Sequence, residues 1–289
     1  MKKNKTELKI FAEQIRKATL QGLSKIGAGH VGGSMSMAEL MAVLYGGVMH
    51  VDPSNPKWEA RDKLVVSKGH CGPAVYGALA LTGFFPMEEL YTVNQPKTRL
   101  PSHCDMNKTP GVDMTTGSLA QGMSTALGLA WGDRYQKREN YVYLILGDGE
   151  IQEGQVWEAA LFAYHQKLDH VIAFVDCNGK QLDGYTKDVC DLGAIDKKFD
   201  AFGWNTQVCN GNDISEILDA IDRAKAVKGV PHLIILETEK GLGCTFTEGI
   251  LYNHHVVFTQ KQYEEAIAEI DKRIEKIKVD MRSERNDQK

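Results

Sequence analysis

Apolar residues recur every three or four positions near the start of the chain. This spacing predicts an amphipathic helix over residues 7–26. A glycine-rich turn follows at 27–33, and a second helix is predicted around 36–49. We expect Ser34 or Ser36 to cap the second helix, because a serine hydroxyl can accept a hydrogen bond from a free N–H group of the first turn.

Three further segments continue the alternation of helices and strands. The run KLVVS at 63–67 predicts a short buried strand, and AVYGALALTG, which begins at Ala74, predicts a helix. Small residues dominate segment 118–136, which predicts a helix that packs closely against a neighbour.

The clearest unit lies in the middle of the chain. YVYLILGD at 141–148 is a β-rich run that ends in Gly-Asp-Gly, and 153–168 has the pattern of an amphipathic helix. The apolar run VIAFVDCN follows at 171–178. A strand, a helix and a strand in this order predict a βαβ unit, with parallel strands and a right-handed crossover.

The same alternation returns in the last third of the chain. WNTQVC at 204–209 and HLIILETEKG at 232–241 predict strands, and 213–227 predicts the helix between them. The predicted fold class is therefore α/β, with a doubly wound, mostly parallel sheet flanked by helices.

The composition narrows the functional classes. The 289 residues are 43% hydrophobic and 25% charged, as in ordinary globular proteins, and the net charge of -4 argues against nucleic acid as a partner. The six cysteines show no metal-ligand or redox spacing, so we interpret them as reduced thiols. The start of the chain lacks an apolar signal core, and no apolar run approaches the ~20 residues that a membrane helix needs. We expect a cytoplasmic protein that binds neither nucleic acid nor membranes.

Polar side chains follow two neighbouring strands of the predicted sheet. Asp148 follows the first strand of the βαβ unit and Asn178 ends the second. Neighbouring strands lie about 4.8 Å apart, so both side chains can reach one ion, and hard oxygen ligands suit Mg²⁺ or Ca²⁺. Gly147 and Gly149 allow close approach of the backbone, and the following helix start offers N–H groups to a phosphate. The sequence therefore predicts a metal-bridged diphosphate site.

Four segments, in order along the chain, resemble motifs of the transketolase family. They are GAGHVGGSMS at 27–36, SKGHCGPAVYGAL at 67–79, PGVDMTTGSLAQG at 110–122 and the stretch from GDGEIQEG to CNGKQLDG at 147–184. The resemblance covers roughly residues 10 to 260, which corresponds to the first half of a full-length family member. It implies the thiamine-diphosphate-binding fold (the PP domain), with thiamine diphosphate and Mg²⁺ or Ca²⁺ as cofactors.

The resemblance also implies roles for individual residues. Asp148, Asn178 and the backbone carbonyl of Lys180 would hold the metal. The implied cofactor-binding residues are His70, Gly117, Ser118, Leu119, Gly147, Asp148, Gly149, Glu150 and Asn178.

The implied catalytic residues are histidines and one glutamate. His30, His70, His103 and His255 match family histidines that bind the sugar or shuttle protons to it, and Glu153 matches the glutamate that links two cofactor sites across a dimer. Valines follow His255 where glycine is common in the family, so the assignment between His254 and His255 stays open.

The domain organisation follows from the same comparison. Residues 1–258 would form the PP domain, and 259–289, which begin with a Thr-x-x-Gln capping box, a charged C-terminal helix or tail. Family members supply the glutamate that activates the cofactor from a second, pyrimidine-binding domain, for which no segment after His255 is suited. We therefore expect the N-terminal, diphosphate-binding subunit of a two-chain transketolase. It would act on sugar phosphates in an α2β2 assembly with a C-terminal partner that carries the pyrimidine domain.

Other functions stay open at this point. The chain could be the alpha subunit of a 2-oxo acid dehydrogenase or a deoxyxylulose-phosphate synthase-like half. Outside the enzymes, it could be a cofactor-binding regulatory subunit. His30 and His70, each in a glycine-flanked turn, favour the transketolase.

Overall fold

The computed structural model of the chain describes residues 2–287, and the side chains of residues 2–283. The helices are α1 Lys5–Ser24, α2 Gly32–Met35, α3 Ala38–Val43, α4 Gly72–Thr82, α5 Gln121–Tyr135, α6 Gly154–His165, α7 Thr186–Cys190, α8 Ile195–Ala201, α9 Ile214–Ala226 and α10 Gln260–Asp287. The strands are β1 Ala28–Gly29, β2 Lys63–Val66, β3 Val142–Gly147, β4 Val171–Cys177, β5 Lys180–Gln181, β6 Gly184–Tyr185, β7 Asn205–Asn210, β8 His232–Glu237 and β9 Val256–Val257. Short 3₁₀ turns occupy Gly69–Cys71, Met87–Thr92 and Glu150–Gln152, and a π turn occupies Leu44–Val48.

Five parallel strands form the central sheet, in the order β2-β3-β4-β8-β7. The chain runs outward from β2 to β4, crosses to the far edge at β7 and returns to β8. The predicted doubly wound α/β fold is confirmed, and so are the five predicted strands. Two-stranded pairs β1-β9 and β5-β6 lie outside this sheet.

Helices cover both faces of the sheet, which explains why its strands read as continuous apolar runs. In β3, Tyr143 and Ile145 face a layer that includes α1, α3, α4, α9 and α10. Their neighbours Leu144 and Leu146 face the opposite layer, which includes α5, α6 and α8. Successive side chains of a strand point to opposite faces, so one strand contributes to both cores.

Three long helices begin at caps that the local sequence encodes. Asn4 and Glu7 form a reciprocal capping box at α1, and Asp213 accepts two N–H groups at α9. The predicted capping box of α10 is confirmed, because Thr259 and Gln262 exchange hydrogen bonds of 2.9 and 3.2 Å. The predicted C-terminal tail is helical as far as the chain is described, and residues 288–289 lie outside the described residues.

The predicted second helix is confirmed by α3 and the π turn that continues it to Val48, but its predicted serine cap is wrong. The short helix α2, which was not predicted, precedes it and is separated from α3 at Met37, where φ is -101° and ψ is 9°. The Ser34 hydroxyl donates to the His30 carbonyl (2.7 Å), and the Ser36 hydroxyl donates to the Asp176 carboxylate (2.6 Å). Both serines are buried, so their hydroxyls bond to nearby acceptors of the tertiary structure rather than cap a helix.

Among the described residues, no helix is both long and apolar enough to cross a bilayer.

Candidate active site

Asp148 lies directly after β3, at the carboxyl edge of the sheet. Gly147 pairs with Asp176 in the register of β3 and β4, so Asp148 comes beside the end of β4. One Asp148 carboxylate oxygen accepts the N–H of Gly149 (2.8 Å), and the other accepts that of Gly179 (2.6 Å). Gly179 has a φ of +72°, a left-handed conformation that favours glycine. The two loops are thereby held around one carboxylate.

Asp176 orients the Asn178 side chain. The amide nitrogen of Asn178 donates to the Asp176 carboxylate (3.0 Å), which leaves the amide oxygen as the acceptor end, in contact with the N–H of Lys180 (3.1 Å). Asp176 also accepts hydrogen bonds from Lys68 (2.5 Å), Ser36 and Thr238. This fully buried carboxylate joins β4 to three other parts of the chain.

The two aspartates of the site have opposite pKa shifts. Burial and the nearby negative charge of Asp176 raise the pKa of Asp148 to about 6. Burial also disfavours ionisation of Asp176, but the Lys68 ammonium and several hydrogen bonds outweigh it and lower the pKa of Asp176. Asp148 is therefore the carboxylate that lacks a cation, and a positive ion beside it would be stabilised.

The donor set around Asp148 fits a hard divalent cation. A carboxylate, the Asn178 amide oxygen and the Lys180 carbonyl are the oxygen donors that Mg²⁺ and Ca²⁺ prefer. The Lys180 carbonyl accepts a hydrogen bond from the Lys240 ammonium (2.9 Å), so a cation is accommodated at this oxygen. Within the described residues, no cluster of three or more His, Cys, Asp or Glu residues forms a metal site of another kind.

Two buried lysines that were not predicted from the sequence lie at this site. Lys68 pairs with Asp176, which raises the pKa of Lys68 despite burial. Lys240 lies in the loop after β8 and donates to the Lys180 carbonyl and to His254 Nδ1 (3.2 Å). Lys68 stands in the motif that pointed to His70, whereas Lys240 stands in a predicted strand end that carried no such signal.

Glu150 lines the cavity and its carboxylate is held by protein donors. Its two oxygens accept the Ser67 hydroxyl and the N–H groups of Ala120 (2.7 Å) and Gly147 (3.0 Å). Burial raises its pKa. Glu150 thus ties the start of α5 to the end of β3, and its predicted cofactor contact stays a prediction.

The loop before α5 borders the same space. Gly117 has a φ of +151°, and a Cβ atom there would lie 3.2 Å from the His103 ring. Leu119 is exposed and lines the cavity, and Ser118 is exposed beside it. Of these predicted cofactor-binding residues, Gly117 and Leu119 therefore line the cavity, and Ser118 is exposed next to them.

Four histidines gather around His30. The His30 ring centroid lies 5.3 Å from that of His70, 5.6 Å from that of His103, 5.3 Å from that of His254 and 4.9 Å from that of His255. They come from the glycine-rich turn, the start of α4, the loop before α5 and the segment before β9. The predicted histidines therefore converge, although they are far apart in sequence.

Four of these imidazoles, those of His30, His70, His103 and His254, favour their neutral forms. Burial, followed by the neighbouring His255, His103 and Lys240, lowers the pKa of His30 to about 4. Burial and Lys240 lower the pKa of His254 to about 3, and burial also lowers the pKa of His70 and His103. A neutral imidazole has one donor and one acceptor nitrogen, which suits hydrogen bonding to sugar hydroxyls.

His254 and His255 point to different spaces. His254 lines the cavity with Asp148 and contacts Lys240, whereas His255 lines a smaller adjoining groove with His30. His254, the alternative that the sequence left open, thus lines the cavity, and the rings of both residues lie close to that of His30.

Glu153 lies away from the cavity, at the exposed start of α6. Large apolar side chains are exposed on α5 and α6. We call this surface the α5–α6 face; its exposed residues are Trp131, Tyr135, Leu161, Phe162 and Tyr164. Several exposed apolar side chains on two helices that pack together are typical of a surface that contacts another protein chain.

A cavity of about 280 Å³ joins these groups. Asp148, Asn178 and Lys180 line it together with Lys68 and Lys240. The rings of His30, His70, His103 and His254 line it as well. Oxygen donors suited to a divalent cation, two ammonium groups and neutral imidazoles thus surround one space.

Known proteins are similar to this chain over most of its length. A family model for transketolase, thiamine diphosphate binding domain, matches residues 8–275. The chain is 49% identical over 272 residues to the 6-deoxy-6-sulfo-D-fructose transketolase subunit of Clostridium sp. (strain MSTE9), covering 94% of this chain and 99% of that one. It is 36% identical over 270 residues to one of the apulose-4-phosphate transketolase subunits of Phocaeicola vulgatus, covering 93% and 96%. The fold and the site define a thiamine-diphosphate-binding domain, and the chain belongs to the transketolase family.

Solved structures agree with this assignment. The transketolase from Leishmania mexicana superposes with a TM-score of 0.84 and 27% identity, covering 98% of this chain and 46% of that one. The transketolase from Campylobacter jejuni gives a TM-score of 0.83 and 27% identity, covering 96% and 48%. The chain spans about half the length of these transketolases. The predictions of the family, of the fold and of the diphosphate-binding half of a two-chain transketolase are confirmed, and the names of the relatives imply a partner subunit.

Proposed function

We propose that this chain, assembled with a partner that carries the pyrimidine-binding domain, transfers a two-carbon ketol unit from a ketose to an aldose phosphate. The observation that carries the proposal is the single cavity in which Asp148 and Asn178, at adjacent strand ends, face the histidines around His30. When bound, thiamine diphosphate supplies the carbanion that takes up and releases the two-carbon unit.

The polar end of the cavity would bind the cofactor's diphosphate. Asp148, Asn178 and the Lys180 carbonyl would hold Mg²⁺ or Ca²⁺. Lys240 donates to neutral acceptors within the described part of the chain, so its charge is available to the diphosphate. Lys68 is held by Asp176 and adds positive potential at the same end.

The histidines would bind and deprotonate the sugar. A general base must be unprotonated at the working pH, and the lowered pKa of His30, His70 and His254 keeps these rings neutral there. His103 and His255, on either side of His30, would bind further hydroxyls. Proton transfer at a hydroxyl of the substrate is thus assigned to this cluster.

The α5–α6 face supports an assembly in which the partner completes the site. Its apolar side chains and the open glycines of α5, Gly128 and Gly132, allow a second chain to approach closely. Glu153 is exposed at the start of α6, where it would link two cofactor sites of an α2β2 complex. The partner would supply the activating glutamate of the pyrimidine domain.

The donor would be a ketose with a terminal anionic group. One relative is named for 6-deoxy-6-sulfo-D-fructose and another for apulose-4-phosphate, which carry a sulfonate and a phosphate. The higher identity to the first favours the sulfonated ketose, and the phosphorylated one is the alternative.

The test uses the chain co-purified with its partner subunit, in the presence of thiamine diphosphate and Mg²⁺. Ketol transfer from the sulfonated or phosphorylated ketose is expected with both chains, and no transfer is expected with this chain alone. Asp148→Ala should abolish transfer and cofactor binding together. Decarboxylation of a 2-oxo acid in place of ketol transfer, or full activity of the chain by itself, would refute the proposal.

A further inference from the structure

The segment between β8 and β9 is closed into a compact loop by the side chain of Asn253. The Asn253 amide nitrogen donates to the carbonyl of Lys240 (2.7 Å) and to that of Thr247 (2.8 Å). The Thr247 hydroxyl in turn donates to the Gly241 carbonyl (3.1 Å). Asn253 and Thr247 are fully buried, so the loop has an interior of its own.

Both ends of this loop contribute to the active site. Lys240 begins the loop, and His254 directly follows Asn253. Their side chains meet, with 3.2 Å between Lys240 Nζ and His254 Nδ1, and both line the cavity with Asp148. Asn253 therefore joins, through one amide group, the backbone at both residues.

The same asparagine docks the loop on the turn that carries His30. The Gly32 N–H donates to the Asn253 carbonyl (3.1 Å), and the Gly241 N–H donates to the Gly32 carbonyl (3.0 Å). A Cβ atom on Gly32 would lie 2.4 Å from the Asn253 carbonyl oxygen, and one on Gly241 would lie 2.8 Å from the Asn253 amide nitrogen. The two glycines make room for Asn253, so its position is set on two sides.

The side-chain amide of Asn253 forms hydrogen bonds through its nitrogen but not through its oxygen. Its oxygen is buried and has no hydrogen-bond donor in the described chain, which is unfavourable for stability. The nitrogen, by contrast, satisfies two backbone carbonyls on opposite sides of the loop. The Asn253 amide thus holds two separate backbone carbonyls of the loop together.

We propose that Asn253 is a positioning residue that sets Lys240 and His254 relative to each other and to His30. The proposal rests on the proposed function, because Lys240 and His254 act there on the cofactor's diphosphate and on the sugar. Asn253 itself would touch neither ligand.

The matched control is Asn140, another buried asparagine whose amide oxygen lacks a donor and whose nitrogen donates to a single acceptor, Asp133 (2.7 Å). It precedes β3, at the edge of the sheet opposite to the cavity. Asn253→Ala and Asn140→Ala should therefore both lower the stability of the fold, whereas only Asn253→Ala should move the active-site groups.

The experiment measures the affinity of the two-chain complex for thiamine diphosphate with Mg²⁺ by calorimetry, and then kcat and KM for the sugar. Asn253→Ala is expected to weaken cofactor binding about 10-fold or more, as loss of a supporting contact does at metal sites, and to raise the KM of the sugar. Asn140→Ala is expected to bind the cofactor like the wild type. Thr247→Val, which removes one hydrogen bond of the same loop, should give a smaller loss in the same direction.

Equal cofactor affinity of the Asn253→Ala and Asn140→Ala complexes would overturn the inference. If Asn253→Ala does not fold, wild-type affinity in Thr247→Val would overturn it instead. Asp148→Ala separates the two proposals: if that variant still binds the cofactor, the proposed function itself fails, whereas loss of binding there leaves the inference to be decided by Asn253 and Thr247.

Discussion

Replacing Asp176 by asparagine tests the electrostatic centre of the site. The change keeps the shape of the side chain and removes its charge. In the wild type the carboxylate is paired with the buried Lys68 ammonium at 2.5 Å and accepts the Asn178 amide at 3.0 Å. An amide at position 176 leaves the buried Lys68 ammonium without its paired carboxylate.

The expected loss of stability follows from that burial. Breaking a buried ion pair by neutralising one partner costs about 3–5 kcal/mol, because the remaining charge stays uncompensated. The Asn178 amide then donates to a neutral amide oxygen, which is a weaker acceptor than the carboxylate that orients it in the wild type. Supporting contacts of this kind are worth about 10- to 100-fold in metal affinity, and we expect the affinity for thiamine diphosphate with Mg²⁺ to fall within that range.

The free energy of unfolding is measured by urea denaturation, and cofactor affinity by calorimetry on the complex with the partner. Asp133→Asn is the matched control. Asp133 is buried, pairs with Lys63 (2.5 Å) and accepts the amide of Asn140 (2.7 Å). It stands in the last turn of α5, and its partner Lys63 begins β2, at the opposite end of the strands from the cavity. Asp133→Asn should destabilise the fold and leave cofactor affinity unchanged.

A second variant isolates the charge effect. Adding Lys68→Met to Asp176→Asn removes both charges and should restore part of the lost stability, since replacing a whole buried pair is far less costly than breaking it. The reasoning on stability would be refuted if the unfolding free energies of Asp176→Asn and the wild type differed by less than about 1 kcal/mol, which is well below the cost of a broken buried pair. Cofactor affinity equal to that of Asp133→Asn would refute the reasoning on the metal site.

Three further outcomes are expected. The NMR signal of His30, assigned with a His30→Gln variant, should show a neutral ring down to about pH 4. Because the pKa of His30 in the folded chain lies below the ordinary 6.5, the stability that this residue contributes is lost as the pH falls from 6.5 to about 4. A titration midpoint near 6.5 would contradict this. Gly122→Ala should lower the urea midpoint of unfolding, because the new Cβ atom would lie 2.7 Å from the backbone of Ser67. The control Gly128→Ala should not lower it, because nothing lies within 4 Å of a Cβ atom there, and equal midpoints would be the contrary result. Arg273→Met, which removes a 2.9 Å ion pair with α1 and a 2.7 Å hydrogen bond to a loop carbonyl, should lower the unfolding free energy by about 1–3 kcal/mol, and an unchanged value would show that α10 does not support this loop.

Local patterns along the chain encode several parts of the site. Asp148 and Asn178 each follow an apolar run that ends in a glycine-containing turn, so the strand ends and their polar residues could be located without coordinates. The motifs around His30 and His70 were found in the same way. For these residues the pattern that predicts the site lies within about ten neighbouring positions of the chain, and the structure places them around one cavity.

Residues on long connections were harder to predict. Lys240 and Asn253 stand in the loop between β8 and β9, which has no periodic pattern. An isolated lysine or asparagine in such a segment is ordinarily solvated, and only the packing of this loop on Gly32 shows that both are buried. The serine cap of the second helix was predicted wrongly for the same reason, because the Ser36 hydroxyl bonds to Asp176, 140 residues away in sequence.

The sequence by itself determined the parallel α/β sheet, its flanking helices and the polar residues at the ends of β3 and β4. Hydrophobic periodicity and turn residues act over a few positions, and they are written directly in the chain. The tertiary structure alone decided which charged groups are buried and which lysine pairs with which carboxylate. It also brought four histidines around the ring of His30. Those properties depend on contacts between segments distant in sequence, since burial and Coulomb energy are set by the distances that folding creates.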